Sequence, residues 1–421
     1  MKKFAALLLS LMLLSSLLCF TAMADDELQG ELVICVLPKW VDETRDQGKV
    51  HLEIIKQYEE LHPGVKITVQ TQDATVIKES FQTAALAGAG PDVVVMDNSG
   101  HAIDLAAMGL LLPLNKFVSD EELEATYQPG PLNSGKFEGT YYSIPWHMDC
   151  CGLFCNMDHL NACGLEIPET WEDLENCLKV LKEKGYGGII TYKSAYAFYP
   201  FFYQNGCPVI DTSGEVPEVV VDSEAGKEAW NYICRLITEY NGFVESFKEA
   251  SSWDKVYESF ANGEATFLLG GDWCKKGVNG VAADVNYKIT DMVEGKTKAT
   301  VLGGWTWNIN VNTKNPALAY DYIRYITGEA GDPYVLSEGR NSARKDWDIE
   351  KALTGDKEDL RVLAAQFPYT MPRPAIINEK AIDEIIVNNL LTVIYGQADA
   401  ETSLAKLAQD LRDNINMNYG E

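Results

Sequence analysis

The segment GTYYSIPWHMDCCGLFCNM, residues 139–157, gives the clearest indication of how the chain folds. It combines a turn, a run of aromatic and β-branched residues, and a mostly apolar strand that ends at Asn156. Trp146, His147 and Asp149 place aromatic or polar groups in a run that otherwise suits a buried strand. Because this segment combines residues suited to a core with polar ones, we predict that it is a strand that crosses between two lobes and has a ligand pocket beside it.

Upstream of this segment, short apolar runs alternate with helical patterns. Strands are predicted over residues 31–37, 65–70 and 93–96, and helices over residues 49–62 and 76–87. This alternation predicts a parallel sheet covered by helices. Ligands of such sheets bind beyond the carboxyl ends of the strands, which is where Trp40 and Asp97 fall.

Downstream, helical patterns are predicted at residues 170–184, 223–240, 253–261, 317–327, 379–395 and 400–416. The first of these begins with Thr170 and Asp173 in the pattern of a capping box. A second junction is the strand VLGGWTWNINV, residues 301–311, in which two glycines and two tryptophans bring close backbone approach and aromatic surface together. Because 421 residues exceed one ordinary core, two lobes are expected. The predicted division is a signal peptide at 1–24, a first lobe at 25–148 and 303–340, and a second lobe at 149–302 and 341–421.

The N-terminal residues have the pattern of a secretory signal peptide. Lys2 and Lys3 precede an apolar run, and Ala22 and Ala24 supply the small residues before a cleavage site. The protein is therefore expected to be secreted and to be periplasmic or associated with the cell surface. An uncleaved anchor and lipid attachment through Cys19 are the alternatives that remain open.

The net charge of the chain limits the classes of ligand that the protein is expected to bind. The chain carries a net charge of −27, which becomes −29 when Lys2 and Lys3 leave with the signal peptide. Such a charge opposes binding to phosphates, nucleic acid and anionic lipid. It favours a neutral or cationic ligand.

Two kinds of chemistry are possible but are not the preferred interpretation. A metal site could use the group His147, Cys150, Cys151, Cys155 and His159, although nine cysteines in an apolar setting after residue 24 fit buried free thiols better. Asp97 and Asp149 could be the two carboxylates of a glycosidase, or could accept hydrogen bonds from ligand hydroxyls. The sequence contains no recognised catalytic or nucleotide-binding motif, so we expect neither an enzyme nor a cofactor.

Tryptophans provide the strongest indication of a ligand. They occur at strand ends or in junctions flanked by Gly or Pro, at Trp40, Trp146, Trp273, Trp305 and Trp307. Polar neighbours accompany two of them, because Asp149 follows Trp146 and Asp272 precedes Trp273, and a further polar pair is formed by Asp97 and Asn98. Sugar rings stack an apolar face on an aromatic plane while their hydroxyls bind carboxylates and amides, so the pattern predicts a carbohydrate site.

Seven sequence blocks stand out for their order and spacing. They are YEELHPGV (58–65), AALAGAGPDVVVMD (84–97), residues 139–157, PETWEDL (168–174), FANGEA (260–265), GGW (303–305) and MPR (371–373). Together they resemble the family 1 extracellular solute-binding proteins, which are the sugar-binding components of ABC importers. The segment that resembles the family's proline-arginine motif departs from it and reads NSAR, residues 341–344.

The resemblance implies two α/β lobes, each a mainly parallel sheet with flanking helices, that close on a ligand at a hinge without chemistry. By position in the matched blocks it implies ligand contacts at Asp97, Asp149, Gly304, Trp305 and Arg373. Outside the blocks it implies contacts at Tyr196, in the segment before Pro200, and at Trp273, after a Gly-Gly turn. It also implies a monomer that delivers an oligosaccharide to an ABC permease in the membrane. A non-sugar neutral or cationic solute remains the main alternative.

Overall fold

The computed structural model describes residues 28–420. The predicted signal peptide and Cys19 therefore lie outside the described residues. The strands, numbered along the chain, are β1 Gln29–Val36, β2 Gly64–Thr71, β3 Val93–Asp97, β4 Lys136–Phe137, β5 Thr140–Tyr141, β6 Ser143–Cys150, β7 Gly152–Asn156, β8 Ile189–Ile190, β9 Ile210–Asp211, β10 Glu218–Val219, β11 Phe267–Gly270, β12 Tyr287–Thr290, β13 Thr300–Ile309, β14 Asn341–Ser342 and β15 Thr370–Met371.

Helices connect and cover these strands. They are α1 Asp46–Leu61, α2 Ile77–Leu86, α3 His101–Ala107, α4 Asp120–Thr126, α5 Pro129–Asn133, α6 Met157–Cys163, α7 Trp171–Lys184, α8 Tyr199–Gln204, α9 Glu224–Thr238, α10 Trp253–Ala261, α11 Trp273–Val281, α12 Pro316–Thr327, α13 Asp332–Ser337, α14 Ile349–Ala352, α15 Arg361–Ala364, α16 Glu379–Ile394 and α17 Ala400–Tyr419. Within the described part of the chain, none of the helices combines the length and the apolar character that crossing a bilayer requires.

Local sequence signals place several of these helices. The Thr170 side chain accepts a hydrogen bond from the backbone of Asp173, and the Asp173 carboxylate accepts one from the backbone of Thr170, so the predicted capping box at the start of α7 is confirmed. Gly185 ends the same helix in the left-handed conformation. The six helices predicted downstream of residue 157 match observed helices to within a few residues at each end.

The larger sheet has seven strands in the order β14-β6-β13-β3-β1-β2, with β15 also paired to β13. Strands β2 and β3 run parallel to β1, as the alternation of strands and helices predicted. Strand β13, in contrast, runs antiparallel to both β3 and β6. The sheet is mixed rather than mainly parallel because β6 and β13 pass through it in opposite directions.

The smaller sheet has the order β12-β7-β11-β8. Its central pair, β7 and β11, is antiparallel, and β8 joins β11 in parallel. The α/β class is therefore confirmed, but the expectation of mainly parallel sheets does not hold for either sheet. Antiparallel neighbours need no helical crossover, so a pattern of alternating strands and helices does not reveal them.

Two separate hydrophobic cores divide the chain. The first core gathers buried residues from 32–146 and 305–343, and the second gathers buried residues from 151–301 and 376–415. A small third cluster joins Cys150 to Leu353, Leu360, Leu363 and Ala364. We refer to the parts built around the first and second cores as the first and second lobes; the predicted lobe boundaries stay a prediction.

The two lobes are joined through paired strands. Along β6 and β13 the antiparallel register runs from Ser143 opposite Asn308 to Cys150 opposite Leu302. Gly304 on β13 has φ +140°, and a Cβ there would lie 2.2 Å from the carbonyl oxygen of His147. Glycine is therefore required at this point, because the two backbones approach too closely for a side chain.

Candidate ligand-binding site

Polar and aromatic side chains from both lobes meet beside the crossing strands. They are Asp97 at the end of β3, Asn98 after it, Asp149 on β6, Tyr196, Asp272 and Trp273 of the second lobe, Arg340 after α13, and Arg373 after β15. We call this group the interlobe site. Its members come from distant parts of the sequence, so the fold alone brings them together.

One half of the interlobe site is centred on Asp149. Its Oδ2 accepts a hydrogen bond from Arg340 Nη1 at 2.8 Å, and its Oδ1 accepts one from the Tyr196 hydroxyl at 3.3 Å. Arg340 Nη1 also lies 3.4 Å from Nδ1 of His147. Burial, reinforced by the positive charge of Arg340, lowers the pKa of His147 well below its usual value, so His147 is neutral.

The other half is centred on Arg373. Its guanidinium forms an ion pair with Asp97 and donates a hydrogen bond to the Asn98 side-chain oxygen at 3.3 Å. The Asp97 side chain remains 32% exposed, whereas Arg373 is 9% exposed, so Asp97 is the more accessible of the two partners. Asn98 is fixed further by its backbone N–H, which donates to the carbonyl of Gly304 at 3.1 Å.

Two aromatic rings connect these halves. The rings of Tyr196 and Trp273 have centroids 5.8 Å apart. The Arg340 guanidinium lies 5.5 Å from the Trp273 ring centroid, and the Arg373 guanidinium lies 5.7 Å from that of Tyr196. Each ring is therefore covered by an arginine of the same chain, in a cation–π arrangement.

Two glycines, Gly303 and Gly271, leave space for these side chains. A Cβ on Gly303, which pairs with Asp149 across the crossing strands, would lie 2.0 Å from Asp149 Oδ1 and 3.1 Å from the Tyr196 ring. Asp272 precedes α11, and Trp273 begins it, directly after β11. A Cβ on Gly271 would lie 2.1 Å from the Trp273 ring, so glycines make room on both sides of the site.

Burial and charge act differently on the three aspartates. Burial raises the pKa of Asp149 to about 6, against the opposing effect of Arg340. Burial likewise raises the pKa of Asp272 well above its usual value. At Asp97 burial works in the same direction and is the largest single influence, but Arg373, His101 and the hydrogen bonds that the carboxylate accepts from Ser99 and Arg373 together lower the pKa.

Several buried polar atoms of the site have no hydrogen-bond partner among the described residues. They are Trp273 Nε1, Asp272 Oδ1, Arg340 Nε and Arg373 Nε. A buried polar atom without a partner costs about 1–3 kcal/mol. Three N–H donors and one carboxylate acceptor are thus left to form hydrogen bonds with the hydroxyl groups of a ligand.

Three of the predicted site tryptophans lie elsewhere. Trp40, Trp146 and Trp307 are at most 1% exposed and belong to the first core. The Trp146 ring packs 5.3 Å from both of the others. These rings fill the first lobe instead of facing the gap between the lobes, which corrects the expectation drawn from their strand-end positions.

Trp305 and Gly304 lie at the border between core and site. Trp305 is 9% exposed, pairs with Asp97 in the sheet register and packs edge-on against Trp40 at 5.0 Å. Gly304 lies on the same strand, opposite Met148. Trp305 therefore adjoins the interlobe site, while Gly304 contributes backbone only.

The possible metal group does not form. Within residues 28–420, no cluster of three or more His, Cys, Asp or Glu side chains is arranged to hold a metal ion. The nine cysteines of this part of the chain are buried and unpaired. Cys150, for example, donates from its thiol to the carbonyl of Leu363 at 3.2 Å.

Arg340 is the site residue that sequence reasoning missed. It lies in a loop after α13, and a lone arginine in a loop gives no local signal. The segment compared with the family's proline-arginine motif instead ends in Arg344, which pairs with Asp332 away from the site. Asp272 is indicated by the sequence as the polar neighbour of Trp273, although it is not among the predicted ligand contacts.

Known proteins similar to this chain include solute-binding proteins of bacteria. The chain is 22% identical to the maltodextrin-binding protein MdxE of Bacillus subtilis (strain 168) over 440 residues, covering 99% of this chain and 98% of that protein. It is 23% identical to the galactooligosaccharide-binding protein of the same organism, covering 92% of this chain and 90% of that protein.

Solved structures share the fold. The GacH receptor of Streptomyces glaucescens GLA.O matches with a TM-score of 0.80 at 21% identity, covering 93% of this chain and 99% of that one. An ABC substrate-binding protein of Listeria monocytogenes matches with a TM-score of 0.79 at 17% identity, covering 93% and 99%. The predicted two-lobe binding-protein fold is therefore confirmed. Because the family profile described as bacterial extracellular solute-binding protein matches residues 42–333, well over half of the sequence, the chain belongs to that family.

Proposed function

We propose that this protein captures a carbohydrate, most simply an oligosaccharide, in the interlobe site. The observation that carries the proposal is the placement of the Trp273 and Tyr196 rings directly beside the Asp149 carboxylate and the guanidinium of Arg340. Sugar rings stack on aromatic planes, and their hydroxyl groups form hydrogen bonds with carboxylate and guanidinium groups. A wholly apolar solute would leave the unpartnered donors and acceptor of the site without hydrogen bonds.

The relatives support this ligand class. Two of them are named for maltodextrin and galactooligosaccharide binding, and the structures of the GacH receptor include complexes with acarbose. The Listeria protein is described in complex with cycloalternan. A site with several unpartnered donors and acceptors is consistent with a ligand of many hydroxyls.

Binding is proposed to act by closure. A ligand that contacts Asp97 of the first lobe and Trp273 of the second binds best when the lobes are together, so it shifts the equilibrium toward that state. The closed form would then be recognised by an ABC permease; one relative is named as an ABC transporter solute-binding lipoprotein. Secretion, with or without an anchor at Cys19, would place the protein where it meets external sugars.

The pairing of the site carboxylates with arginines favours release of an unchanged ligand over its hydrolysis. Asp97 is paired with Arg373, and Asp149 is paired with Arg340. A retaining or inverting glycosidase needs one carboxyl free to donate a proton and one free to attack or activate water. Carboxylates held by arginines suit hydrogen bonding to hydroxyls instead.

A thermal-shift screen tests the proposal. Mature protein would be heated with maltooligosaccharides, galactooligosaccharides, monosaccharides and, as non-sugar controls, polyamines. A ligand present at 100 times its Kd stabilises the folded state by about 2.7 kcal/mol, which is readily seen in Tm. Stabilisation by at least one saccharide is expected; stabilisation by polyamines alone would contradict the proposal. Unchanged saccharide after prolonged incubation, measured by chromatography, would exclude hydrolysis.

A further inference from the structure

Side chains of one lobe contact the other lobe on both sides of the interlobe site. Beyond the Arg340 half of the site, Lys276 on α11 of the second lobe donates a hydrogen bond to the side-chain oxygen of Gln47 on α1 of the first lobe. The same ammonium group lies 3.6 Å from Oε1 of Glu338, also in the first lobe. Gln47 is 2% exposed and Glu338 is 8% exposed, so Lys276 binds acceptors that are shielded from water.

A second set of contacts lies beyond the Arg373 half. Lys380 on α16 of the second lobe forms an ion pair with Glu79 on α2 of the first lobe, with 2.6 Å between Nζ and Oε1. Two residues earlier, the backbone N–H of Asn378 donates to the carboxylate of Asp104 on α3. The lobes therefore touch at both ends of the interlobe site. We call the contacts at the two ends the cross-lobe contacts.

Between the two ends, Arg340 makes the interactions that a saccharide would need. It follows helix α13 of the first lobe, yet its guanidinium lies over the Trp273 ring of the second lobe. The same guanidinium donates to Asp149 on the crossing strand. A saccharide that stacks on the covered face of Trp273 must therefore displace Arg340 from it.

Arg373 reaches across the gap in the opposite direction. The carbonyl of the preceding residue, Pro372, accepts a hydrogen bond from the Tyr203 hydroxyl of the second lobe at 2.9 Å, which holds Arg373 on that lobe. Its guanidinium pairs with Asp97 of the first lobe. Each lobe thus places one arginine against the other lobe.

These interactions join the lobes through groups of the chain itself. An exposed ion pair such as Lys380 with Glu79 contributes little alone, but the acceptors of Lys276 are buried and the contacts act together. The open and closed states of a hinged protein are close in free energy, so a few such contacts shift the balance between them.

We infer that the cross-lobe contacts hold the lobes closed before a saccharide arrives, with Arg340 on the ring face that the saccharide takes over. Binding then requires these contacts to open, after which the saccharide replaces Arg340 at Trp273 and the lobes close again. The ligand strengthens a closed state that is already populated. The inference rests on the proposed function for the identity of the ligand, whereas closure itself is tested without any saccharide.

Small-angle X-ray scattering tests closure. Mature wild-type protein at low salt and without saccharide is expected to have the radius of gyration calculated from this structure. The double variant Lys276→Ala/Lys380→Ala, checked for folding by circular dichroism, should have a larger radius. So should wild type in about 1 M NaCl, because salt screens the ion pairs. The matched control Lys179→Ala/Lys288→Ala removes two exposed lysines of the second lobe and should keep the wild-type radius.

Two results would overturn the inference. One is a wild-type radius at low salt that already exceeds the calculated value. The other is a radius that neither the double variant nor high salt enlarges. If the double variant does not fold, the response of wild type to salt decides between these outcomes.

Stopped-flow tryptophan fluorescence tests the opening step. With the best saccharide from the thermal-shift screen, the observed rate for wild type should level off at high saccharide concentration, because opening limits binding. The limiting rate is expected to be at least about threefold higher in Lys276→Ala/Lys380→Ala and unchanged in the control. Equal limiting rates in wild type and the double variant would show that the cross-lobe contacts do not gate the site. If no saccharide binds, the proposed function fails, while the scattering result still decides whether the lobes close by themselves.

Discussion

The carboxylate of Asp149 accepts a hydrogen bond from the guanidinium of Arg340 at 2.8 Å, and the two side chains are 3% and 4% exposed. Asp149 lies on a strand that crosses between the lobes, while Arg340 follows a helix of the first lobe. Removing either partner would take the hydrogen-bonded counter-charge from a buried charged group. The binding site and the stability of the protein are therefore coupled through this ion pair.

Asp149→Ala is expected to destabilise the protein even without ligand, by about 3 kcal/mol, because Arg340 stays buried. In the double variant Asp149→Ala/Arg340→Ala the loss should be smaller than the sum of the two single losses. Calorimetric Tm values of the four proteins form the required cycle. Additive losses would show that the two side chains do not interact.

Trp273→Ala should weaken saccharide binding by at least ~1 kcal/mol, since the ring provides the stacking face. Titration calorimetry with the best saccharide from the thermal-shift screen measures the change. Tyr395→Ala removes an aromatic ring that is 50% exposed and lies outside the interlobe site, and should leave Kd unchanged. Equal Kd values for Trp273→Ala and wild type would remove Trp273 from the site.

Gly303→Ala is expected to lower affinity by about tenfold or more, because its Cβ would occupy the position of Asp149 Oδ1 and the site must shift. Gly280→Ala provides the control, since a Cβ there meets no atom within 4 Å. Both variants should be assayed by the same titration and checked for folding by circular dichroism. Normal affinity in Gly303→Ala would mean that Asp149 is not a ligand contact.

Glu379 makes stability depend on pH. Its carboxyl binds a proton more tightly when folded, so between pH 4.5 and about 8 this group lowers the free energy of unfolding as pH rises. In Glu379→Gln the fall in Tm from pH 5 to pH 8 should be smaller than in wild type by ~2 °C or more. Glu384→Gln, an exposed change on the same helix, should follow the wild-type curve. Parallel curves for wild type and Glu379→Gln would contradict the prediction.

The number of cysteine thiols that react with a thiol reagent can be predicted for the native and the denatured protein. The nine cysteines of residues 28–420 are buried and unpaired, and burial raises the pKa of Cys35, for instance, to about 11. Native protein should react slowly with a thiol reagent, and mature protein in denaturant should react at nine equivalents. A tenth equivalent would mean that Cys19 is retained, and seven would reveal a disulfide.

Local signals in the sequence predicted the elements well. Alternation of apolar runs gave β1 to β3, and the Thr170 and Asp173 pattern gave the start of α7, because these depend on neighbouring residues. The antiparallel insertion of β13 between β3 and β6 was not predicted, since it joins segments more than 140 residues apart in the chain. Pairing between distant strands leaves no local pattern.

The site was predicted in part for the same reason. Asp97, Asp149, Tyr196, Trp273 and Arg373 were identified through the family resemblance and do meet in the structure, although contact with a ligand stays a prediction. Trp40 and Trp146 have the same strand-end setting as Trp273, yet they pack against each other in the first core. Sequence context alone does not distinguish a ring that faces a gap from one that faces another ring.

The discontinuity of the first core has a consequence for the order of folding. Its sheet includes β13, which begins at Thr300, and β14 at Asn341–Ser342, and its buried residues extend to Ala343. The N-terminal part of the chain must therefore wait until most of the polypeptide has been made before it can bury its apolar surface. Folding that depends on contacts between distant segments of a chain is slow. A slowly folding chain stays unfolded, and can pass through a translocation channel, for longer than a chain whose first lobe folds by itself.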